Sequence, residues 1–150
     1  MGKLVATALV KAPADAVFAV YTDLEKMPER IPQITALEVL TDGPVGKGTR
    51  WRETRLMFKK EAVEEMEITS FEPSSLYTVE ANSHGMLYQT VFDFAEEDGG
   101  TRVTWTFHST PQTFGSKIMA PIVNLMMGGM MKKLMLKDIE ALAAVCEGKA

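Results

Sequence analysis

Ile118–Met131 reads IMAPIVNLMMGGMM, fourteen residues without a charge. Six of the chain's eleven methionines lie between Met119 and Met135, and Pro121, Asn124 and Gly128-Gly129 interrupt the run. A membrane span needs ~20 apolar residues, so this segment is too short and too broken to be one. A surface helix carries a broad polar face, which this one lacks. The stretch is therefore expected to form a helix with most of its circumference buried. Methionine is flexible and fills irregular space, so what lies beneath need not be tightly packed. Two glycines inside a helix cost ~1 kcal/mol each relative to alanine. A close helix–sheet contact, a kink or room for a ligand would justify that cost. The methionines read equally as plain core or as the wall of a binding cavity.

Working outward, Thr110-Pro111 has the form of an N-cap followed by proline at the first helical position. That predicts helix from about there to Cys146, broken or bent near Pro121. The chain before it changes period. Leu4–Val10 reads as a strand, stopped by Ala12-Pro13. Pro13 and Asp15 suit the first turn of a helix, Ala14–Thr22, with Val17, Phe18 and Tyr21 at helical spacing. Leu24–Arg30 reads as a second short helix, ended by Ile31-Pro32. Six strands follow: Ile34–Leu40, Thr49–Leu56, Ala62–Phe71, Leu76–Ala81, Met86–Phe94 and Thr101–Phe107. Glu96–Gly100 is read as a five-residue hairpin loop. Sequential strands plus helices on one face make an α+β fold, with a curved antiparallel sheet of about seven strands wrapped around a long C-terminal helix.

Composition narrows the function. The chain has 150 residues, about the commonest size for one domain. Its net charge of −4 gives no support for nucleic-acid binding. The charge is uneven: residues 113–150 hold five lysines against three carboxylates, while the rest holds 11 basic residues against 17 acidic. With one cysteine, Cys146, no intrachain disulfide can form. That fits a reducing compartment, and a cytoplasmic protein is expected. The strand-like N-terminus does not read as a signal peptide. Two histidines and one cysteine, widely separated, offer no metal-ligand spacing. No nucleophile elbow, phosphate loop or dinucleotide fingerprint occurs. No metal and no cofactor are expected.

Four stretches carry a family resemblance: APADAVFAVYTDLEKMPERIP at 12–32, GPVGKGTRWRET at 43–54, ITSFEPSSLYTVEA at 68–81 and GGTRVTWTF at 99–107. With the last helix, their order resembles the helix-grip fold of the START/Bet v 1-like (SRPBCC) superfamily. The wording is closer to its bacterial polyketide cyclase/dehydrase-like or coenzyme-Q-binding-like members. Many relatives carry a tryptophan within the stretch that is Asp23–Pro32 here, and this chain has none. The resemblance implies one ligand-binding domain over 1–150, with a cavity between sheet and long helix. It implies no particular reaction, since such folds host binders and enzymes alike.

Strand alternation picks the side chains that face this cavity. Met86, Tyr88, Thr90, Phe92 and Phe94 share one face, as do Val103, Trp105 and Phe107, and Tyr77, Val79 and Ala81. If Trp51 points inward, so do Glu53 and Arg55, with Glu64 and Met66 on the next strand. Buried charges need partners or water, so Glu53 and Arg55 read either as a structural ion pair or as polar groups facing a ligand. His84 and His108 read as solvated. The cavity candidates are Trp51, Glu53, Arg55, Met66, Tyr77, Tyr88, Phe92, Trp105, Met126 and Met130.

Three functions fit. The first is binding or carriage of a hydrophobic small molecule such as a lipid, quinone or polyketide-like compound. The second is a cyclase or dehydratase, which needs Glu53, Arg55 and Tyr88 within reach of one substrate. The third is an interaction module whose Met-rich, lysine-bearing helix docks on a membrane surface or a protein partner. Monomer and homodimer are both compatible with the sequence.

Overall fold

The computed structural model describes residues 2–57, 59–83 and 85–149, and of these all side chains but those at 2, 57, 116 and 119–128. β1 (Gly2–Val10) leads into α1 (Ala14–Thr22), a 3₁₀ turn (Leu24–Lys26) and the single-turn α2 (Met27–Arg30). β2 (Ile34–Val39), β3 (Arg50–Met57), β4 (Lys60–Glu72), β5 (Leu76–Ser83), β6 (Met86–Glu97) and β7 (Gly100–Pro111) follow, then α3 (Phe114–Cys146). The strands form one antiparallel sheet in the order β1-β7-β6-β5-β4-β3-β2. This is the expected helix-grip α+β fold. The first two strands in the chain are thus the two edges of the sheet, and the short helices carry the chain from one edge to the other.

Most strands run longer than the alternation suggests, and two local expectations are corrected. The β6–β7 connection is not a five-residue loop. Both strands continue until Glu97 pairs with Gly100, leaving the two-residue turn Asp98-Gly99. Both turn residues have positive φ, 40° and 77°, the hairpin geometry that matches strand twist and that Asp-Gly favours. Gly100 is required for a different reason: a Cβ there would lie 2.4 Å from the Val10 carbonyl oxygen of β1. Thr110-Pro111 does not start the helix. It ends β7, with Leu87 opposite Thr110 and Met86 opposite Pro111. Pairing with β6 outweighs the local capping signal, and α3 begins only at Phe114. No break separates helices near Pro121; α3 is one element.

β-bulges adjust the alternation. One between Ile68 and Ser70 puts an extra residue in β4. Ile68 is fully buried, and Phe71, three residues on, packs on the same core. There the Phe18 ring of α1 meets Phe71, Tyr77 and Phe94 edge-on, at centroid distances of 5.3, 5.7 and 5.3 Å. Tyr77 stacks on Phe92 at 4.7 Å. From α3, Met135, Ile139 and Leu142 are buried at i, i+4, i+7 spacing. The helix lies mainly on β1 and α1.

Candidate ligand-binding site

Trp51, Glu53 and Arg55 alternate on β3 and all face inward. Trp51 and Glu53 are buried, and the Arg55 side chain is about a quarter exposed. The three are linked. Glu53 Oε1 accepts from Trp51 Nε1 at 3.3 Å, and its Oε2 accepts from Arg55 Nε at 3.3 Å. Arg55 Nη1 donates to Asp138 Oδ2 at 2.7 Å. Asp138 comes from α3, 83 residues away, and is buried. One guanidinium is therefore held between two carboxylates from opposite sides of the grip. Burial works against the Arg55 charge, but Glu53 and then Asp138 more than offset it, and its pKa lies above the ordinary arginine value. The 2.7 Å contact with Asp138 is that of a charge-assisted hydrogen bond, and the 3.3 Å contact with Glu53 is longer. The arrangement satisfies the groups involved and ties α3 to the β3 side of the sheet.

Sequence reasoning does not single out Asp138. The signal that could have found it is its position in the helix: three residues after Met135 and four before Leu142, it shares their buried face. Tyr21 stands out in the sequence only as an apolar position of α1. Its hydroxyl accepts from Trp105 Nε1 at 2.9 Å, and its carbonyl lies 3.5 Å from the Tyr77 hydroxyl. Burial holds the Tyr21 and Tyr77 phenols above their ordinary pKa, with the negative charge of Glu53 adding to the effect at Tyr77. Both stay protonated at neutral pH and act as neutral hydrogen-bonding groups.

The remaining candidates divide by place. Tyr77 and Trp105 are buried among the aromatic side chains below α1, and Phe92 is half-buried beside them. Farther toward the start of α3, the inward-facing Glu64, Met66, Met86, Tyr88, Thr90 and Phe107 are all half-buried. Tyr88 pairs with Ala81 on one side and Ser109 on the other. Its ring stacks on Phe107 at 5.8 Å. Burial raises the Tyr88 pKa first and the Glu64 carboxylate second. This end of the concave face presents a thioether-and-aromatic wall with a phenol and a carboxylate in it. Such a lining suits an apolar ligand oriented by a few polar contacts.

Two helix candidates fare differently. Met130 is 47% exposed. The phase of α3, set by Met135, Ile139 and Leu142, turns Met130 outward, so it is not a cavity wall. The Met126 side chain and His84 lie outside the described residues, as does the side chain of Met127. The three groups needed for a cyclase are not gathered. β4 and β5 stand between the strand of Glu53 and Arg55 and that of Tyr88. Three strand spacings of roughly 4.8 Å separate their backbones by about 14 Å along the sheet.

Cys146 is half-buried, and burial pushes its thiol up to about 11, so it is not an activated nucleophile at neutral pH. Among the described residues no group of three or more His, Cys, Asp or Glu side chains could hold a metal ion. Nor, among them, is any helix long and apolar enough to cross a membrane.

Solved structures share this architecture. The Zhui aromatase/cyclase from Streptomyces sp. R1128 superposes with a TM-score of 0.81 at 15% identity, over 97% of this chain and 93% of that one. TTHA0849 from Thermus thermophilus gives 0.69 at 22% identity, over 99% and 96%. Truncated norcoclaurine synthase from Thalictrum flavum gives 0.70 at 16% identity, over 96% and 92%. At these identities the likeness is one of fold. No functionally curated protein matches the sequence. Residues 1–147 match the model of one family, and the chain belongs to that family, polyketide cyclase/dehydrase and lipid transport.

Proposed function

We propose that residues 1–150 act as one domain that binds or carries a hydrophobic small molecule between the sheet and α3. The observation that carries this reading is the half-burial of Met66, Met86, Tyr88, Thr90 and Phe107. Their inward-facing neighbours Phe94, Val103 and Trp105 on β6 and β7, and Tyr77 on β5, are buried. Apolar groups on a concave face are ordinarily driven out of water, at about 25 cal/mol per Å². Large side chains left half-buried here, beside the small buried Ala81 and Ser109 that pair with Tyr88, mark space that an apolar ligand would fill with gain. Tyr88 would donate to a polar atom of that ligand. The family's description, which spans cyclisation, dehydration and lipid transport, supports a hydrophobic ligand.

Cyclase activity is the second reading, supported by the family description and by the aromatase/cyclase that shares the fold. It draws less support from the site itself. Glu53 and Arg55 are engaged with each other, with Trp51 and with Asp138.

The test is native mass spectrometry of protein isolated from its own host, followed by extraction of any bound lipophile and titration of the emptied protein with a fluorescent one. A bound apolar molecule, and saturable one-to-one binding of the probe, are expected. Protein that is reproducibly empty and takes up no probe would overturn the reading.

A further inference from the structure

We infer that the ligand of this cavity is an apolar molecule carrying a cationic group, a protonated amine, and that Glu64 receives it. The inference rests on the binding reading above and adds the ligand's charge. Glu64 of β4 faces inward in step with Met66 and Ile68 and is half-buried, whereas its outward neighbours Val63 and Glu65 are exposed. It lies directly opposite Glu53 on β3. Cross-strand partners hold their Cβ atoms about 5 Å apart, and like charges so placed repel. Glu53 turns its two oxygens to Trp51 and Arg55. Arg55 divides its hydrogen bonds between Glu53 and Asp138. Glu64 has neither a hydrogen bond nor an ion pair among the described residues.

The remaining charges do not correct this. Among the described residues within the grip, the carboxylates of Glu53, Glu64 and Asp138 stand against the guanidinium of Arg55. Arg30 is held by the Val20 carbonyl and Asp23. Lys60 shares the parity of Glu64 but is exposed at the β3–β4 hairpin, about 13 Å along the strand. Lys132, Lys133 and Lys137 of α3 are exposed, and residues 119–128 contain no Lys, Arg or His. A carboxylate drawn out of water without a counter-charge is costly, so a ligand that brings one gains by it. The surroundings suit an ammonium group. Tyr88 is near enough for the negative charge of Glu64 to add, after burial, to the raising of its pKa. Its ring and that of Phe107, stacked at 5.8 Å, offer aromatic faces that attract a cation within about 6 Å. The Tyr88 hydroxyl is left to donate to a second polar atom. An anionic group, such as a fatty-acid carboxylate, would meet like charge here.

The experiment is displacement of a bound fluorescent lipophile at neutral pH by decylamine, decanol and decanoate, which share one chain and differ in charge. Decylamine is expected to bind more tightly than decanol by about tenfold or more, the increment of a hydrogen bond to a charged group. Decanoate should bind more weakly than decanol. Glu64→Gln should bring the ratio of decylamine to decanol affinity down toward one, and Glu64→Lys should reverse the order in favour of decanoate. The ratio is taken within each variant, so a change in overall affinity or stability does not disguise it. Three results would overturn the inference and leave the binding reading standing: equal binding of decylamine and decanol by the parent, tightest binding of decanoate, or a ratio unchanged in Glu64→Gln, as expected of a carboxylate that is merely hydrated. Uptake of neither the fluorescent lipophile nor any of the three would overturn both.

Discussion

Below α1, the concave face is closed by side chains from a second layer: Phe18 and Tyr21 set their rings against Phe71, Tyr77, Phe92, Phe94 and Trp105. The same strands, two to six residues farther toward the start of α3, carry Tyr88, Thr90 and Phe107, which are only half-buried. Residue types differ little between the two regions. What differs is whether an aromatic partner arrives from above. Tyr77, Phe94 and Trp105 are buried under the rings from α1, Phe71 and Phe92 lie half-buried at the margin of that layer, and Phe107 has no ring from α1 against it. A fold can thus hold a rigid end and a receptive end on one sheet without a change in strand pattern.

Truncation tests that contrast most directly. Phe18→Ala empties the packed end and should cost about 3–5 kcal/mol in urea denaturation. Phe107→Ala should cost about 1 kcal/mol, since a half-buried ring surrenders less burial. Equal costs would mean that the two ends are packed alike.

The Glu53–Arg55–Asp138 linkage comes next in size. Asp138→Asn leaves Arg55 with one carboxylate and should cost about 2–3 kcal/mol, toward the low side of a broken buried pair because Arg55 is partly exposed. Changing all three together, Glu53→Gln, Arg55→Met and Asp138→Leu, should recover most of that loss. If the triple variant is less stable than Asp138→Asn, the linkage contributes net stability beyond mutual satisfaction.

Filling the receptive end should separate binding from stability. Thr90→Trp is expected to weaken uptake of a fluorescent lipophile by at least about tenfold, a change of ~1.4 kcal/mol, with the urea midpoint nearly unchanged. Met130→Trp, on the outward face of α3, should leave uptake unaffected. A loss of binding in the second variant but not the first would move the site.

The smallest effect is a pH limb that belongs to the packed end. Tyr21 and Tyr77 have folded pKa values raised above 10.0 by burial. A raised acid binds its proton more tightly folded than unfolded. Its contribution is therefore complete below pH 10 and is lost as pH climbs from there toward the folded value. Stability should fall with alkali from about pH 10, and Tyr77→Phe should make that limb shallower. Its cost at neutral pH should be below about 1 kcal/mol, because the hydroxyl reaches the Tyr21 carbonyl only at 3.5 Å. Half-buried Tyr88 contributes less to the limb, so a Tyr88→Phe variant should keep most of it.

Much of this is legible in the chain. Period-two alternation locates every strand, helical spacing locates α1, and the parity of Trp51 carries Glu53 and Arg55 inward with it. Pairing decides what local signals misjudge. Thr110-Pro111 looks like a helix start when read alone, but β6 supplies a partner for both residues, and ladder hydrogen bonds outweigh a cap. The five polar residues before Thr101 look like a loop until strand pairing reduces them to Asp98-Gly99.

Alone, the sequence determined the order of elements, the inward parity and the basic excess of the C-terminal segment, because each is set by neighbours along the chain. Only the tertiary structure decided that Asp138 closes on Arg55, that Met130 faces out, and which half of the concave face stays open. Those outcomes depend on groups far apart in the chain meeting across the grip, and on the rotational phase that packing imposes on a helix whose apolar pattern alone would allow several.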